Sequence, residues 1–228
     1  MTYPDYDLII FDCDGVLVDS EVISAQTLIA LLQPFGIDFD LPYMCEHFLG
    51  RSFPTVAATI RREHAVDLPA DFELSYRKTL LKTFQTDLKP MDGIHDVLTR
   101  LQTRYCVASS SSPERVHRSL SIVGLKPYFE GAVFTASEVA HGKPAPDLFL
   151  HAAADRGVDP SRCLVIEDSV SGIEAAHAAG MTVWRYTGGA HLSGTHASVS
   201  LATGVIPSFD SWSNFAHMIG QDRKIRMD

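Results

Sequence analysis

The chain of 228 residues is long enough to bury a substantial core in one domain, or in one domain that carries an insertion. Hydrophobic residues make up 46% of it and charged residues 21%, which is ordinary for a globular protein and argues against disorder. No low-complexity segment and no internal repeat is visible in the sequence. With 28 acidic and 19 basic side chains the formal charge is −9, which opposes nonspecific binding to nucleic acid or to an anionic membrane surface.

Short apolar runs, each followed by polar residues, predict the buried strands of a parallel sheet. The first run is Leu8-Ile9-Ile10-Phe11, and later runs occupy residues 105–108, 163–166 and 181–184. Helical patterns alternate with the later runs at residues 94–101, 113–123, 147–154 and 170–179. The alternation predicts an α/β fold with a doubly wound, Rossmann-like parallel sheet, in which ligands bind beyond the carboxyl ends of the strands.

The segment from about residue 20 to residue 88 has a different pattern. Helical periodicity is visible at residues 24–32, 55–64 and 72–84, without a convincing strand. We interpret this segment as an all-helical cap that is inserted after the first strand. The predicted division is a core of residues 1–18 and 89–228 and a cap of residues 19–88, which would hinge over the strand ends as a lid.

Two aspartates follow the first strand at a spacing that suits phosphoryl transfer. Asp12 and Asp14 are two residues apart, so their carboxylates can face the same way. One carboxylate can attack phosphorus to give an aspartyl phosphate, while the second protonates the leaving alcohol and later assists water. Gly15 would allow the chain to turn sharply beside the substrate. The competing interpretation is that both aspartates only cap a turn, as aspartates often do at strand ends.

A divalent cation would offset the repulsion between an anionic nucleophile and an anionic phosphate. Glu167 and Asp168 end another predicted strand. Together with Asp12 and the main-chain carbonyl of Asp14, they form a set of hard oxygen ligands. Such a set predicts Mg²⁺ rather than zinc, which prefers histidine and cysteine. The alternative for Glu167-Asp168-Ser169 is a helix N-cap without a metal role.

Hydrogen-bond donors for phosphate follow a third predicted strand. The serine run that begins with Ser109 and Ser110 lies directly before a helix that starts at Pro113, where hydroxyl and amide groups can hold phosphate oxygens. Lys143 lies in a proline-stiffened loop and supplies a point charge. A flexible serine loop and a solvated surface lysine are the alternative interpretations.

Four motifs stand in order along the chain. They are DCDGVLVDS at residues 12–20, Ser109, GKPAPD at residues 142–147, and EDS at residues 167–169 followed by Gly172, Ala175-Ala176 and Gly180. In this order they resemble the motifs of the haloacid dehalogenase superfamily, closest to its phosphatase and β-phosphoglucomutase branch with a helical cap. The resemblance covers nearly the whole chain.

The resemblance implies a role for each candidate residue, in agreement with the chemical interpretation. The implied roles are nucleophile for Asp12, acid and base for Asp14, phosphate binding for Ser109 and Lys143, and magnesium anchoring for Asp168 with Glu167.

Two departures from the relatives bear on the reaction. The dehalogenase branch usually lacks the second aspartate of the first motif, so Asp14 favours phosphate over carbon–halogen chemistry. The mutase branch carries a histidine at the cap hinge where this chain has Ser24, and a cap-loop lysine where this chain has Leu49. We therefore expect hydrolysis in preference to mutase activity.

Two further residues are candidates for contact with the substrate. Arg51 lies in Leu49-Gly50-Arg51-Ser52, which resembles the cap loop that faces the active site, and its guanidinium would grip a sugar hydroxyl or a second anion. Glu21 lies where the chain enters the cap, and it would either meet the substrate or cap the first helix.

The sequence thus predicts a magnesium-dependent phosphatase that hydrolyses a small phosphate monoester, a sugar phosphate, through an aspartyl-phosphate intermediate. The alternatives are a β-phosphoglucomutase-like sugar phosphate mutase and a noncatalytic phosphometabolite-binding protein. The expected partner is a small phosphorylated metabolite, without nucleic acid or membrane. Scattered cysteines, no secretory signal and no apolar stretch of about 20 residues predict a cytoplasmic protein, and no surface feature argues against a monomer.

Overall fold

A parallel sheet lies at the centre of the structure. The computed structural model describes residues 6–48, 53–193, 200–201 and 204–215. The strands in these ranges are Leu8–Phe11 (β1), Arg104–Ser109 (β2), Val133–Thr135 (β3), Cys163–Glu167 (β4), Thr182–Tyr186 (β5), Ser200–Leu201 (β6), Gly204–Val205 (β7) and Ser208–Phe209 (β8). Six of them form one sheet in the order β3-β2-β1-β4-β5-β8 with every neighbouring pair parallel, whereas β6 and β7 form a separate antiparallel pair.

Helices connect the strands. Those in the described ranges are Glu21–Leu32 (α1), Leu41–His47 (α2), Phe53–His64 (α3), Phe72–Asp87 (α4), Ile94–Arg100 (α5), Pro113–Ile122 (α6), Asp147–Asp155 (α7) and Val170–Ala178 (α8). Short 3₁₀ turns occupy Gln33–Phe35, Lys126–Phe129, Ala136–Glu138, Pro160–Arg162 and Ala190–Leu192. Residues 212–215 are also helical. Of the described helices, none has both the length and the apolar character that crossing a bilayer requires.

Both faces of the sheet are buried, which explains why its central strands are apolar along their whole length. In β1, Ile9 and Phe11 belong to one hydrophobic cluster, while Leu8 and Ile10 belong to a second one. The two clusters lie on opposite faces because successive side chains of a strand point to opposite sides. Phe11 also contacts Trp212, with ring centroids 5.8 Å apart. The prediction of a doubly wound α/β fold is confirmed.

The strand register brings several chain segments to the same edge of the sheet. Phe11 pairs with Val107 of β2 and with Ile166 of β4. The amide of Asp12 donates to the carbonyl of Ile166 at 2.9 Å, which extends this pairing one residue beyond β1. Asp12 is therefore level with Glu167 of β4 and lies beside the end of β2.

The helices α1 to α4 occupy the segment between β1 and α5, and the described part of residues 20–88 contains no strand. The chain leaves the sheet and returns to it side by side. The amide of Asp19 donates to the carbonyl of Lys89 at 3.0 Å, and the amide of Met91 donates to the carbonyl of Leu17 at 2.9 Å. The division into a core and a cap at these connections stays a prediction.

Five of the numbered helices and strands, α2, β3, β6, β7 and β8, are not predicted by the sequence patterns. For α2 a signal was present, since Asp40 caps this helix by accepting from the amide of Tyr43 at 2.8 Å, and Pro42 lies in the first turn. The strand β3 contains three residues and β6, β7 and β8 contain two each, which is too short for a periodic pattern.

The start of α8 lies so close to the end of β4 that residue 172 has no room for a side chain. A β-carbon at Gly172 would overlap the carboxyl group of Glu167. That carboxyl group is held in place, because the amide and the hydroxyl of Ser169 both donate to its Oε2 at 2.9 Å. The close approach explains a glycine within a helix, where glycine costs about 1 kcal/mol relative to alanine.

We expect Gly172→Ala to lower the free energy of unfolding by about 1–3 kcal/mol, because the added methyl group must displace Glu167. A loss of stability would be informative, because a change from glycine to alanine normally stabilises a helix that has room for the added methyl group. Urea denaturation measures the effect, with Glu174→Ala on the exposed side of α8 as a control that should stay within about 0.5 kcal/mol of the original chain. A Gly172→Ala protein that is as stable as the original would contradict the close approach.

Candidate active site

A buried lysine joins two strand ends at the carboxyl edge of the sheet. The ammonium of Lys143 donates to Oδ1 of Asp12 and to Oε1 of Glu167, both at 2.7 Å. It also donates to the carbonyl of Ala108 at 3.0 Å. The Lys143 side chain is only 2% exposed. Burial alone would lower the pKa of Lys143, but the two carboxylates outweigh burial and the pKa is raised, so the group is charged.

Three buried carboxylates converge beside this lysine. Asp12, Glu167 and Asp168 each offer one ligand atom, and these atoms all lie within 4.8 Å of one another. Burial raises the pKa of Asp12 well above its usual value, and Glu167 and Asp168 raise it further against the opposing effect of Lys143. Burial and the charge of Glu167 also raise the pKa of Asp168. When all three carboxylates are ionised, their negative charge exceeds what one ammonium balances.

The donor set of this cluster fits a hard divalent cation. All three groups offer carboxylate oxygens, which Mg²⁺ prefers. A carboxylate has about four lone-pair positions, so Glu167 can accept from Lys143 and from Ser169 and still offer a lone pair to a cation. The unbalanced negative charge adds an electrostatic attraction.

Asp14 faces a different set of partners. Its carboxylate accepts from the hydroxyl of Ser20 at 2.5 Å and from that of Ser111 at 2.6 Å. It also accepts from Nη2 of Arg115 at 2.7 Å. Burial by itself raises the pKa of Asp14, but Arg115 and the two hydroxyls outweigh burial, and the pKa lies below its usual value. The two aspartates that the sequence pairs therefore lie in distinct electrostatic environments.

The serine run after β2 lies beside these carboxylates. Ser109 is fully buried, and its hydroxyl accepts a hydrogen bond from the amide of Ser111 at 3.1 Å. Ser110 lines the same cavity as Asp12 and Lys143. Because α6 begins directly after this run, the amino end of the helix also lies at the site.

Of the two predicted cap contacts, only Glu21 falls in the described ranges. It is the first residue of α1, is buried and lines the cavity. Burial, followed by the charge of Asp14, raises the pKa of Glu21 to about 8. The preceding Ser20 makes no side-chain cap to α1, since its hydroxyl bonds Asp14. Arg51 and Leu49 lie outside the described residues.

Arg115 is a site residue that the sequence patterns did not reveal. Its guanidinium bonds Asp14 and also donates to the hydroxyl of Ser24 at 2.9 Å. The group lies over the ring of Phe84 in α4, with Cζ 5.4 Å from the ring centroid. A cation in the first turn after the serine run was the available signal, but sequence alone does not tell which way a helical side chain points.

His191 is a second site residue without a sequence signal. Its Nε2 lies 2.8 Å from Oδ2 of Asp168, and both side chains are almost fully buried. Burial lowers the pKa of His191 below its usual value, so the neutral ring can donate from Nε2. The residue stands in a loop beyond β5 that contains no motif.

A cavity of about 120 Å³ lies between the strand ends and the helical segment, and its lining does not include Asp168 or His191. Both parts of the chain supply its walls. The sheet side contributes Asp12, Asp14, Lys143 and Glu167, and the helical side contributes Glu21, Ser24, Phe53, Tyr76 and Arg77.

The chain is similar to known proteins over most of its length. It matches the haloacid dehalogenase-like hydrolase family over residues 6–180. It is 30% identical over 186 residues to the 6-phosphogluconate phosphatase of Escherichia coli (strain K12), and the matched region covers 81% of this chain and 84% of that protein. It is 32% identical over 181 residues to the fructose-1-phosphate phosphatase of the same organism, covering 78% of this chain and 95% of that protein.

A solved structure gives the same result for the fold. A haloacid dehalogenase-like protein of unknown function from Agrobacterium tumefaciens superimposes with a TM-score of 0.77 at 37% identity, over 95% of this chain and 98% of that one. The predicted family and the predicted class of phosphoric monoester hydrolase are confirmed, because the matched region contains all four motifs and both curated relatives are phosphatases. This chain therefore belongs to the haloacid dehalogenase-like hydrolase family.

Proposed function

We propose that this chain is a magnesium-dependent phosphatase that hydrolyses a small sugar phosphate through an aspartyl-phosphate intermediate on Asp12. The observation that carries the proposal is the contact of the buried Lys143 ammonium with the carboxylates of Asp12 and Glu167. It combines a nucleophile with a cation for the phosphate, directly beside a cluster of carboxylates that can hold a metal ion.

In the first proposed step the carboxylate of Asp12 attacks phosphorus. A bond forms between its oxygen and phosphorus while the bond from phosphorus to the leaving alcohol breaks, and Asp14 gives the alcohol a proton. Lys143 balances negative charge on the phosphoryl oxygens. Ser109 and Ser110 are proposed to supply further donors from their hydroxyl and amide groups.

In the second proposed step water releases the phosphate. The carboxylate of Asp14 accepts a proton from the water, whose oxygen binds phosphorus as the bond from phosphorus to Asp12 breaks. The ion pair with Arg115 suits this step, since it favours the ionised form of Asp14. The first step needs the protonated form, so Asp14 has to exchange its contact with Arg115 for one with the leaving group.

The proposed Mg²⁺ ligands are the carboxylates of Asp12, Glu167 and Asp168 and the main-chain carbonyl of Asp14. When bound, the cation supplies Lewis-acid stabilisation of the phosphoryl oxygens and reduces their repulsion with the nucleophile. Burial and the neighbouring carboxylates raise the pKa values of Asp12 and Asp168, and a bound cation would oppose both effects by favouring the ionised forms.

The cavity wall and the relatives favour a sugar phosphate as the substrate. The two Escherichia coli relatives are phosphatases of 6-phosphogluconate and fructose 1-phosphate. Glu21, Ser24 and Tyr76 offer polar groups to the hydroxyls of a sugar, and a pKa of about 8 keeps Glu21 protonated at neutral pH, so that it can donate. We propose Arg51 as a further contact. Choice of the sugar would then depend mainly on residues 19–88.

We also propose that the protein is a cytoplasmic monomer with no nucleic-acid or membrane partner. The four cysteines of the chain are free thiols, as expected in a reducing compartment. The formal charge of −9 is the basis for excluding polyanionic partners.

A panel of sugar phosphates with and without Mg²⁺ tests the proposed reaction. We expect release of inorganic phosphate that chelation abolishes and Mg²⁺ restores, and a loss of roughly 10⁴-fold or more in kcat/KM for Asp12→Asn, because the amide is not a nucleophile. Phosphate release is measured by a colorimetric assay, and the organic product by mass spectrometry.

The same panel distinguishes the rival functions. Conversion of a sugar 1-phosphate to an isomeric sugar phosphate without free phosphate would establish a mutase instead. No turnover of any ester, with tight binding of one of them, would establish a phosphometabolite-binding protein. Either result would refute the proposed hydrolase.

Replacing Lys143 should remove the positive charge that is proposed to balance the phosphoryl oxygens. We expect Lys143→Met to lower kcat/KM by about 100-fold or more, since it removes a preorganised cation at the phosphoryl oxygens. Lys126→Met is the matched control and should retain full activity, because Lys126 is exposed and lies outside the helical segment. Circular dichroism confirms that both variants fold. Equal kinetics for a folded Lys143→Met protein would exclude the proposed role.

Because Arg115 and Asp14 form an ion pair, substitutions of the two residues should have non-additive effects on the free energy of unfolding. We expect Arg115→Met to lower the free energy of unfolding by about 3–5 kcal/mol, because it leaves a buried carboxylate without its partner. In the double variant Arg115→Met with Asp14→Asn, part of this loss should be recovered. Urea denaturation of the two single variants and the double variant measures the coupling, and purely additive effects would show that the pair does not interact.

A further inference from the structure

His191 makes a buried contact that the proposed mechanism does not use. Its Nε2 lies 2.8 Å from Oδ2 of Asp168, and the two side chains are 5% and 6% exposed. The residue belongs to the 3₁₀ turn Ala190–Leu192, which follows β5 and lies outside the four motifs. Because Asp168 is a proposed metal ligand, whatever orients its carboxylate affects the site.

The backbone approaches the ring of His191 closely at two glycines, Gly15 and Gly189. A β-carbon at Gly15 would overlap the carboxyl group of Asp168 and would lie 3.0 Å from Cε1 of His191. A β-carbon at Gly189 would lie 2.6 Å from the same Cε1 atom. The φ angle of 77° at Gly15 likewise disfavours any residue with a side chain. The ring therefore has little freedom to rotate away from Asp168.

The turn that carries His191 is itself fixed on two sides. The amide of Ala190 donates to Oδ1 of Asp19 at 3.2 Å, where the chain leaves the sheet for α1. The amide of Thr187 donates to the carbonyl of Phe209 in β8 at 2.8 Å. The backbone thus delivers the imidazole to a defined position.

The two ring nitrogens of His191 have different surroundings. Within the described ranges, Nδ1 is buried and has no hydrogen-bond partner, whereas Nε2 faces the carboxylate of Asp168. A proton on Nε2 therefore gains a hydrogen bond that a proton on Nδ1 does not. His191 therefore donates through Nε2 alone, and a side-chain amide whose nitrogen occupies the same position can replace this donor.

We propose that His191 is a positioning residue for the metal site: its Nε2–H donates to Oδ2 of Asp168 and holds this carboxylate in the orientation that binds Mg²⁺. The inference rests on the proposed metal role of Asp168 and adds a residue to it. The contact with His191 is made by Oδ2 of Asp168 and not by Oδ1, so it uses only one of the two carboxylate oxygens. Hydrogen-bond partners of metal ligands commonly contribute 10- to 100-fold to metal affinity, so the expected effect is large enough to measure.

Three substitutions separate the donor from the space that the ring fills. In His191→Gln the amide nitrogen can reach the position of Nε2, while in His191→Asn it reaches only the position of Nδ1, which has no partner. His191→Leu keeps apolar volume and removes every donor. His117→Leu, at an exposed position of α6, is the control for loss of a histidine away from the metal site.

The primary measurement is Mg²⁺ binding to the purified protein without substrate. Calorimetric titration with MgCl₂ gives the dissociation constant, and the rise of the unfolding temperature with Mg²⁺ concentration gives an independent value. We expect His191→Asn and His191→Leu to weaken Mg²⁺ binding by roughly 10-fold or more, and His191→Gln to stay within about threefold of the original chain. Phosphate release at saturating Mg²⁺ should then return toward the original kcat in all three variants.

Several outcomes would overturn the inference. They are unchanged Mg²⁺ affinity in His191→Asn, equal losses in His191→Asn and His191→Gln, and absence of Mg²⁺ binding to the original chain. The second of these would mean that the ring acts only by filling space. If His191→Leu does not fold, the comparison of Asn with Gln still decides the question.

The test is independent of the proposed reaction. Mg²⁺ affinity is measured without turnover, so a chain that binds Mg²⁺ but hydrolyses no ester would refute the proposed phosphatase and leave the role of His191 to be judged by affinity alone. An active phosphatase with equal Mg²⁺ affinity in all His191 variants would refute the inference and leave the proposed function intact.

Discussion

The contact of the Lys143 ammonium with the carboxylates of Asp12 and Glu167 is the interaction on which the rest of the site depends. A charge buried this deeply is tolerated only when it is paired and hydrogen-bonded, and here the two partners lie at the carboxyl ends of neighbouring strands, β1 and β4. Their separation is therefore set by strand spacing and register. A slip of β1 by one residue would turn Asp12 to the opposite face and leave the lysine with one carboxylate. The register of the sheet therefore determines whether Lys143 can pair with both carboxylates.

Two aspartates of the same turn acquire different properties through their neighbours. Asp12 lies among carboxylates and one ammonium, and its pKa is raised, first by burial. Asp14 accepts from Arg115 and two serine hydroxyls, and its pKa is lowered although it is also buried. The residue between them, Cys13, is buried and leaves both carboxylates on the cavity side. The proposed role of Asp12 as nucleophile requires its ionised form, which a cation bound beside it would favour.

The site is built across the point where the chain leaves the sheet. Ser20 and Ser24, at the start of α1, bond Asp14 and Arg115, so the beginning of the helical segment shares a hydrogen-bond network with the end of β1. The turn that holds His191 is bound to Asp19 at the same connection. A displacement of α1 would therefore change the surroundings of the proposed acid and base, which offers a direct physical link between the helical segment and the chemistry.

The sequence by itself determined the sheet, the order of the motifs and the residues that meet at its edge. Apolar strands that end in polar residues place Asp12, the serine run and the Glu167-Asp168 pair at one edge, because parallel strands share the direction of their carboxyl ends. The family resemblance adds Lys143 to this set. Only the tertiary structure decided that Arg115 contacts Asp14 and that His191 contacts Asp168. The first depends on the rotation of α6 about its axis and the second on the path of a loop beyond β5. Neither leaves a period or a motif in the sequence, since both follow from how the elements pack against one another.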